Sequence, residues 1–281
     1  LAWMDITACL AQWRANPSPM VVARVTEAKG STPREAGVFM LVGEHALAGT
    51  VGGGALEYAC VERARAMLGS NTSSARMRFV LGGGNTSQCC GGIAHVSLQK
   101  LTLKLAVTLE RDMARARALR PVLCLFGAGH VGRALAHVLA LLPLNLIWVD
   151  PRAQEFGQPP AGVDVRVTSD WSAVMESLPA GSGVLVLTPD HVLDALITEA
   201  ALCNDNLVYV GLIGSATKRR RFEHAFRATG VAEERIQALV CPIGGRGIKD
   251  KRPEVIAALV AAEVVERLLH PSGGGGESGG C

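Results

Sequence analysis

The run Gly127-Ala128-Gly129-His130-Val131-Gly132 constrains this chain more than any other. It follows a continuous apolar run, Val122–Phe126, and opens a helical pattern, His130–Leu142. A strand with no polar residue reads as one covered on both faces. Between such a strand and a helix the first glycine permits a tight turn. The second lets backbone approach a phosphate group, and the third lets helix and strand pack closely. The helix start then offers unpaired N–H groups and a partial positive charge to an anion. Asp150 closes the next strand, Leu146–Val149, and stands 18 residues beyond Gly132, where a ribose-binding acid belongs. Strand, turn, helix and acid fall in register.

The remainder of the second half keeps the same rhythm. Val163–Val167, Val184–Leu187 and Leu207–Val210 read as further strands. Leu193–Cys203, Ser215–Ala228 and Pro253–Leu269 read as helices. Such alternation predicts an α/β fold, a Rossmann-like doubly wound parallel sheet with helices on both faces. The first half differs. Strands at Met20–Glu27, Gly37–Val42, Met77–Leu81 and Ile93–Leu98, with one helix at Ala55–Leu68, predict a smaller N-terminal α+β domain with antiparallel strands. We therefore expect domains at 1–105 and 121–270, a charged linker with a short solvated helix at 106–120, and a disordered glycine-rich tail at 271–281.

Composition narrows the function. Hydrophobic residues make up 49% and charged residues 19% of 281, which excludes a disordered chain. Aromatics at 4% and a net charge of +3 argue against a nucleic-acid binder, which needs stacking platforms and a positive excess. The longest apolar stretch, Ala134 to Val149, contains His137, Pro143 and Asn145, so no membrane span is expected. Eight cysteines without paired spacing and no charged-then-apolar leader read as reduced thiols in a cytoplasmic protein.

Glycine, at 32 residues, is in excess and gathers at candidate ligand loops. Gly52-Gly53-Gly54 precedes the helix of the first half. Gly211 to Gly214 precedes Ser215, a candidate helix cap, and then Lys218, Arg219, Arg220 and Arg221. Four cations in opening turns oppose the helix dipole, which makes sense beside a bound anion; the alternative is that they reach away into solvent. Cys241-Pro242-Ile243-Gly244-Gly245-Arg246 forms another glycine-rich basic loop. Cys89 and Cys90, flanked by glycines, read either as two small buried hydrophobes or as accessible thiols for a soft metal or a sulfur donor. His191, after Thr188-Pro189-Asp190, is placed to ligate a metal or move a proton, or simply follows an aspartate cap. No order of serine, histidine and acid supports a hydrolase.

Taken in order, these motifs resemble the XdhC/CoxI family, the xanthine dehydrogenase accessory proteins. The likeness rests on Gly30-Ser31-Thr32-Pro33-Arg34, Gly52 to Glu57, Gln88-Cys89-Cys90-Gly91-Gly92, Phe126 to Gly132, Asp150-Pro151-Arg152, Tyr209 to Arg221, Cys241 to Gly244 and Pro253 to Ala258. The chain departs from the family pattern at Thr86-Ser87, Thr188-Pro189 and Gly245-Arg246. The resemblance implies a non-catalytic maturation factor. It would bind the molybdenum cofactor, a phosphorylated molybdopterin, and assist its sulfuration with a cysteine desulfurase. It would then insert the cofactor into apo-xanthine dehydrogenase or a related molybdoenzyme. A homodimer is expected. The cofactor-binding residues would be Gly52, Gly53, Gly54, Gly127, Gly129, His130, Gly132, Asp150, Gly214, Ser215, Lys218 and Arg219, with Cys89 or Cys90 meeting molybdenum or sulfur. The competing reading is an NAD(P)-dependent oxidoreductase using the same glycine loop.

Overall fold

The computed structural model describes residues 2–81, 92–245, 247, 248 and 250–270, with residues 2–4 as backbone. It divides into two compact units, Leu1–Ala114 and Arg115–Cys281.

The first unit is built on a six-stranded sheet, ordered β1-β4-β3-β2-β6-β5. Its strands are β1 (Ala2–Met4), β2 (Met20–Gly30), β3 (Phe39–Gly43), β4 (Ala46–Gly49), β5 (Ser74–Val80) and β6 (Gly92–Lys100). All neighbours pair antiparallel except β1 with β4, which run parallel. Alternation along β2 explains the layers. Val21, Ala23 and Val25 face helix α2 (Gly54–Leu68), meeting Leu56, Cys60, Ala64 and Met67. Val22 faces the opposite way, joining Leu10 and Trp13 of α1 (Ile6–Ala15) and Ala106 and Leu109 of α3 (Leu103–Ala118). Helix α3 runs through the charged segment, and two of its residues belong to this core. Helix α1 is legible only in retrospect: Asp5 accepts hydrogen bonds from the amides of Thr7 and Ala8, and Cys9, Leu10 and Trp13 are its buried side.

In the second unit five parallel strands are ordered β11-β10-β7-β8-β9. They are β7 (Val122–Phe126), β8 (Asn145–Asp150), β9 (Asp164–Val167), β10 (Ser182–Val186) and β11 (Leu207–Leu212). The order reverses between β7 and β10, and in open parallel sheets ligands bind at the carboxyl ends beside such a switch. Successive residues of β7 go to opposite layers. Leu123 and Leu125 pack with α4 (His130–Leu139) and α9 (Pro253–Val264), while Cys124 and Phe126 pack with α5 (Trp171–Glu176), α6 (His191–Leu202), α7 (Ala216–Ala228) and α8 (Glu233–Ala238). Both faces being covered is why this strand carries no polar residue. Helix α9 continues into a π-helical turn, Val265–Leu269. No described helix is long and apolar enough to cross a membrane.

Candidate functional site

The glycine turn between β7 and α4 is held from below by β8. The Trp148 indole donates to the Gly127 carbonyl at 3.0 Å, and Asp150 Oδ2 accepts from the Ala128 amide at 2.8 Å. Each glycine has a separate reason. Gly127 has φ +117°, and a Cβ there would lie 2.3 Å from the Leu187 carbonyl oxygen. A Cβ on Gly132 would lie 2.2 Å from the Gly127 carbonyl oxygen. Both are required by the protein itself. Gly129 is not: its φ of −66° suits any residue, and no heavy atom lies within 4 Å of its absent Cβ. Its bareness leaves open space directly over the start of α4.

That helix start is also uncapped. Of the helices that follow strand ends at this edge, α5 is capped by Asp170, α6 by Asp190 and α7 by Ser215. Helix α4 begins after Gly129 with no side-chain cap, and exposed His130 stands at its first position. Its first amides have no partner within the helix, so they point a partial positive charge at the space Gly129 leaves. A phosphate group fits this cradle.

Asp150 is nearly fully buried, yet burial does not neutralise it. Burial pushes its carboxyl up, but hydrogen bonds from the Arg152 guanidinium and from the amides of Arg152 and Ala128 outweigh that and hold it below the usual carboxylate range. Arg152 Nε and its amide reach Oδ1, both at 2.9 Å, and Nη2 reaches Oδ2 at 2.9 Å. The Arg152 side chain is thus paired with Asp150.

The basic opening turns of α7 have partners of their own. Lys218 Nζ lies 2.6 Å from Asp194 Oδ2 and donates to the Ile213 carbonyl at 3.0 Å. It also stands over the Phe222 ring. Asp194 is fully buried, and its Oδ1 accepts from the amide and hydroxyl of Thr188. Arg219 bonds Glu223 and the Cys241 carbonyl, and Arg221 lies against the Phe222 ring. An open cavity of about 480 Å³ is bordered by Thr188, His191, Gly214, Ser215, Lys218 and Arg221. Asp194 was not a sequence candidate; its signal was an acid four residues past an aspartate cap, aligned with a lysine two elements later. Nearby, the Tyr209 hydroxyl donates to Glu263 at 2.5 Å, and the other carboxylate oxygen accepts from the Gly244 amide, tying the 241–244 loop to α9. Burial pushes the Cys241 thiol up to about 11, against the pull of Lys218 and Arg219, so it is protonated at neutral pH.

In the first unit Gly52, Gly53 and Gly54 all have positive φ, and a Cβ on Gly52 would meet Pro33 at 2.7 Å. The start of α2 already has an anion: Glu57 accepts from the Gly53 amide and the Thr50 hydroxyl. Cys89 and Cys90 lie outside the described residues, on the segment joining β5 to β6. Among the described residues no three His, Cys, Asp or Glu side chains gather as a metal set.

Residues 123–264 match the XdhC Rossmann domain, and residues 13–80 match the XdhC and CoxI family. The chain belongs to the XdhC/CoxI family. The uncharacterized protein YqeB of Escherichia coli (strain K12) is 27% identical to this chain over 278 residues. The alignment takes in 96% of this chain and 48% of YqeB, so the chain spans about half the length of the curated relative it matches. A crystal structure from Bacillus halodurans, described as a xanthine dehydrogenase, superposes with a TM-score of 0.75 at 19% identity. It covers 96% of this chain and 97% of its own, and at that identity the likeness shows the fold.

Proposed function

We propose that this XdhC/CoxI chain is a non-catalytic maturation factor that holds the molybdenum cofactor by its phosphate at the Gly127–Gly132 loop. It assists sulfuration of the cofactor, with a cysteine desulfurase as sulfur donor, and hands it to apo-xanthine dehydrogenase or a related molybdoenzyme. The observation that carries this reading is the combination at one point of an uncapped α4 and a glycine whose missing side chain neither backbone angle nor packing requires. Gly127 and Gly132 build the cradle, Gly129 and the amides from His130 onward line it, and Asp150 fixes its floor. Gly214 and Ser215 border the neighbouring cavity, where exposed Arg221 supplies positive charge; Lys218 and Arg219 shape that loop through their internal bonds. Gly52 to Gly54 would contribute in the first unit as a tight turn rather than as an open cradle, because Glu57 already accepts from the Gly53 amide. Cys89 and Cys90 are the thiols assigned to molybdenum, a soft partner for thiolate, or to the sulfur donor.

Incubating the purified chain with molybdenum cofactor and separating by gel filtration tests this reading. The pterin is expected to co-elute with the protein, and Cys89→Ala with Cys90→Ala is expected to depress maturation of the dehydrogenase. Free elution of the pterin, with maturation untouched by both substitutions, would sink the reading. Saturable NAD or NADP binding with turnover would favour the oxidoreductase reading instead.

A further inference from the structure

A second cavity of about 370 Å³ opens at the carboxyl ends of β7, β8 and β10 and includes Gly127 in its wall, so it adjoins the phosphate cradle. Its size falls within the range of small-molecule sites, roughly 300–1,000 Å³. Val149, Trp171, Leu193 and Ile197 give it apolar walls, and Thr168 and Ser169 stand on its polar rim. An apolar slot beside an anion cradle suits a fused heterocycle carrying a phosphate.

Asp150 also borders this slot, in the place where an acid takes a ribose diol in dinucleotide sites. An ionised carboxylate has about four lone-pair positions. All four are filled here: Oδ1 by the Arg152 amide and Nε, Oδ2 by the Ala128 amide and Arg152 Nη2. A ribose would have to displace the guanidinium to be read.

We propose that the slot between Val149, Trp171, Leu193 and Ile197 holds the ring system of the phosphorylated ligand, and that the Arg152 latch on Asp150 makes the site blind to a ribose diol. This rests on the phosphate-cradle reading above and gives it a selectivity: a phosphorylated pterin is accepted for its ring and phosphate, whereas a nucleotide gains nothing from its sugar. Purine nucleotides and molybdopterin share the ring-plus-phosphate chemistry, so the test must separate them.

Calorimetric titration of the full chain with molybdopterin, ADP and 2′,3′-dideoxy-ADP does so. Molybdopterin is expected to bind tightest, with ADP and its dideoxy analogue within twofold of each other. Ser169→Trp, at an exposed rim position, should fill the slot and weaken molybdopterin at least tenfold; Pro189→Trp, on the facing rim, serves if the first variant misfolds. Arg152→Ala should release Asp150 and create at least a fivefold preference for ADP over the dideoxy analogue. A fivefold ADP preference in the unmodified chain, or none in Arg152→Ala, overturns the latch. If both rim variants leave molybdopterin binding within twofold while Gly129→Val abolishes it, the ring lies elsewhere and the slot is overturned, with the cradle intact. If Gly129→Val also has no effect, or nothing binds, the cradle reading itself fails and the slot with it. ADP binding tighter than molybdopterin, with the slot responding to Ser169→Trp, would overturn the pterin as occupant.

Discussion

Three glycines in one turn do three different jobs, and substitution separates them. Alanine at Gly132 would drive its Cβ to 2.2 Å from a backbone carbonyl oxygen that cannot retreat, since the same oxygen accepts from Trp148. We expect Gly132→Ala to cost several kcal/mol, about 3 or more, in urea denaturation, as severe overpacking does. Alanine at Gly129 meets no atom within 4 Å and keeps an ordinary φ. Gly129→Ala should therefore match the unmodified chain within about 0.5 kcal/mol, or gain slightly from a stiffer unfolded state. Its effect belongs in ligand affinity. Should Gly129→Ala unfold the protein as readily as Gly132→Ala, the division of labour is wrong. The spacing of the three glycines is plain in the sequence. Their separate reasons are not, because they depend on which carbonyl or side chain stands opposite each absent Cβ.

At the scale of elements, the helices that follow β10 and β11 are joined by a buried ion pair in addition to their apolar core. Asp194 near the start of α6 and Lys218 in the first turn of α7 meet at 2.6 Å with side chains 1% and 11% exposed. Removing one partner of such a pair strands the other, at a cost of about 3–5 kcal/mol, whereas removing both can be nearly neutral. Lys218→Met should thus lose about 3–5 kcal/mol of stability, and Asp194→Asn together with Lys218→Met, which keeps an acceptor for Thr188, should recover most of it. A denaturant double-mutant cycle with no recovery would show the pair to be peripheral to the loop's structure. The basic run of α7 is conspicuous in the sequence, which leaves open whether it faces an anion or reaches into solvent. The structure gives Lys218 and Arg219 intramolecular acceptors, Asp194 and Glu223 among them. Asp194 lies 24 residues from Lys218, and only the parallel placement of β10 beside β11 brings their helices together.

For the whole molecule, the consequence of two units with separate cores is local response to local damage. Clusters around α2 and around α1 with α3 serve the first unit, and two more flank the parallel sheet of the second. Gly132→Ala should therefore raise amide hydrogen exchange along β7, β8 and α4 while leaving the β2–β6 ladder protected to its usual degree. Equal loss of protection in both sheets, measured by mass spectrometry, would mean that the units unfold as one.

The parallel sheet and the tight glycine turn could be read from the chain alone. An apolar strand, a glycine spacing and a strand–helix alternation are local patterns, enforced over a few residues by burial on both faces and by steric room at a turn. The small first unit was legible in its strands, but helix α1 and strands β1 and β4 escaped because short elements carry few periods of pattern. Tertiary structure decided what the charged and polar residues do. Asp150 looks like a ribose acceptor by position and has its acceptor sites filled by Arg152 and Ala128; Lys218 looks like an anion ligand and is bound to Asp194. Hydrogen bonds and ion pairs act over about 3 Å between groups distant in sequence, so their partners are set by strand order, which no local pattern encodes.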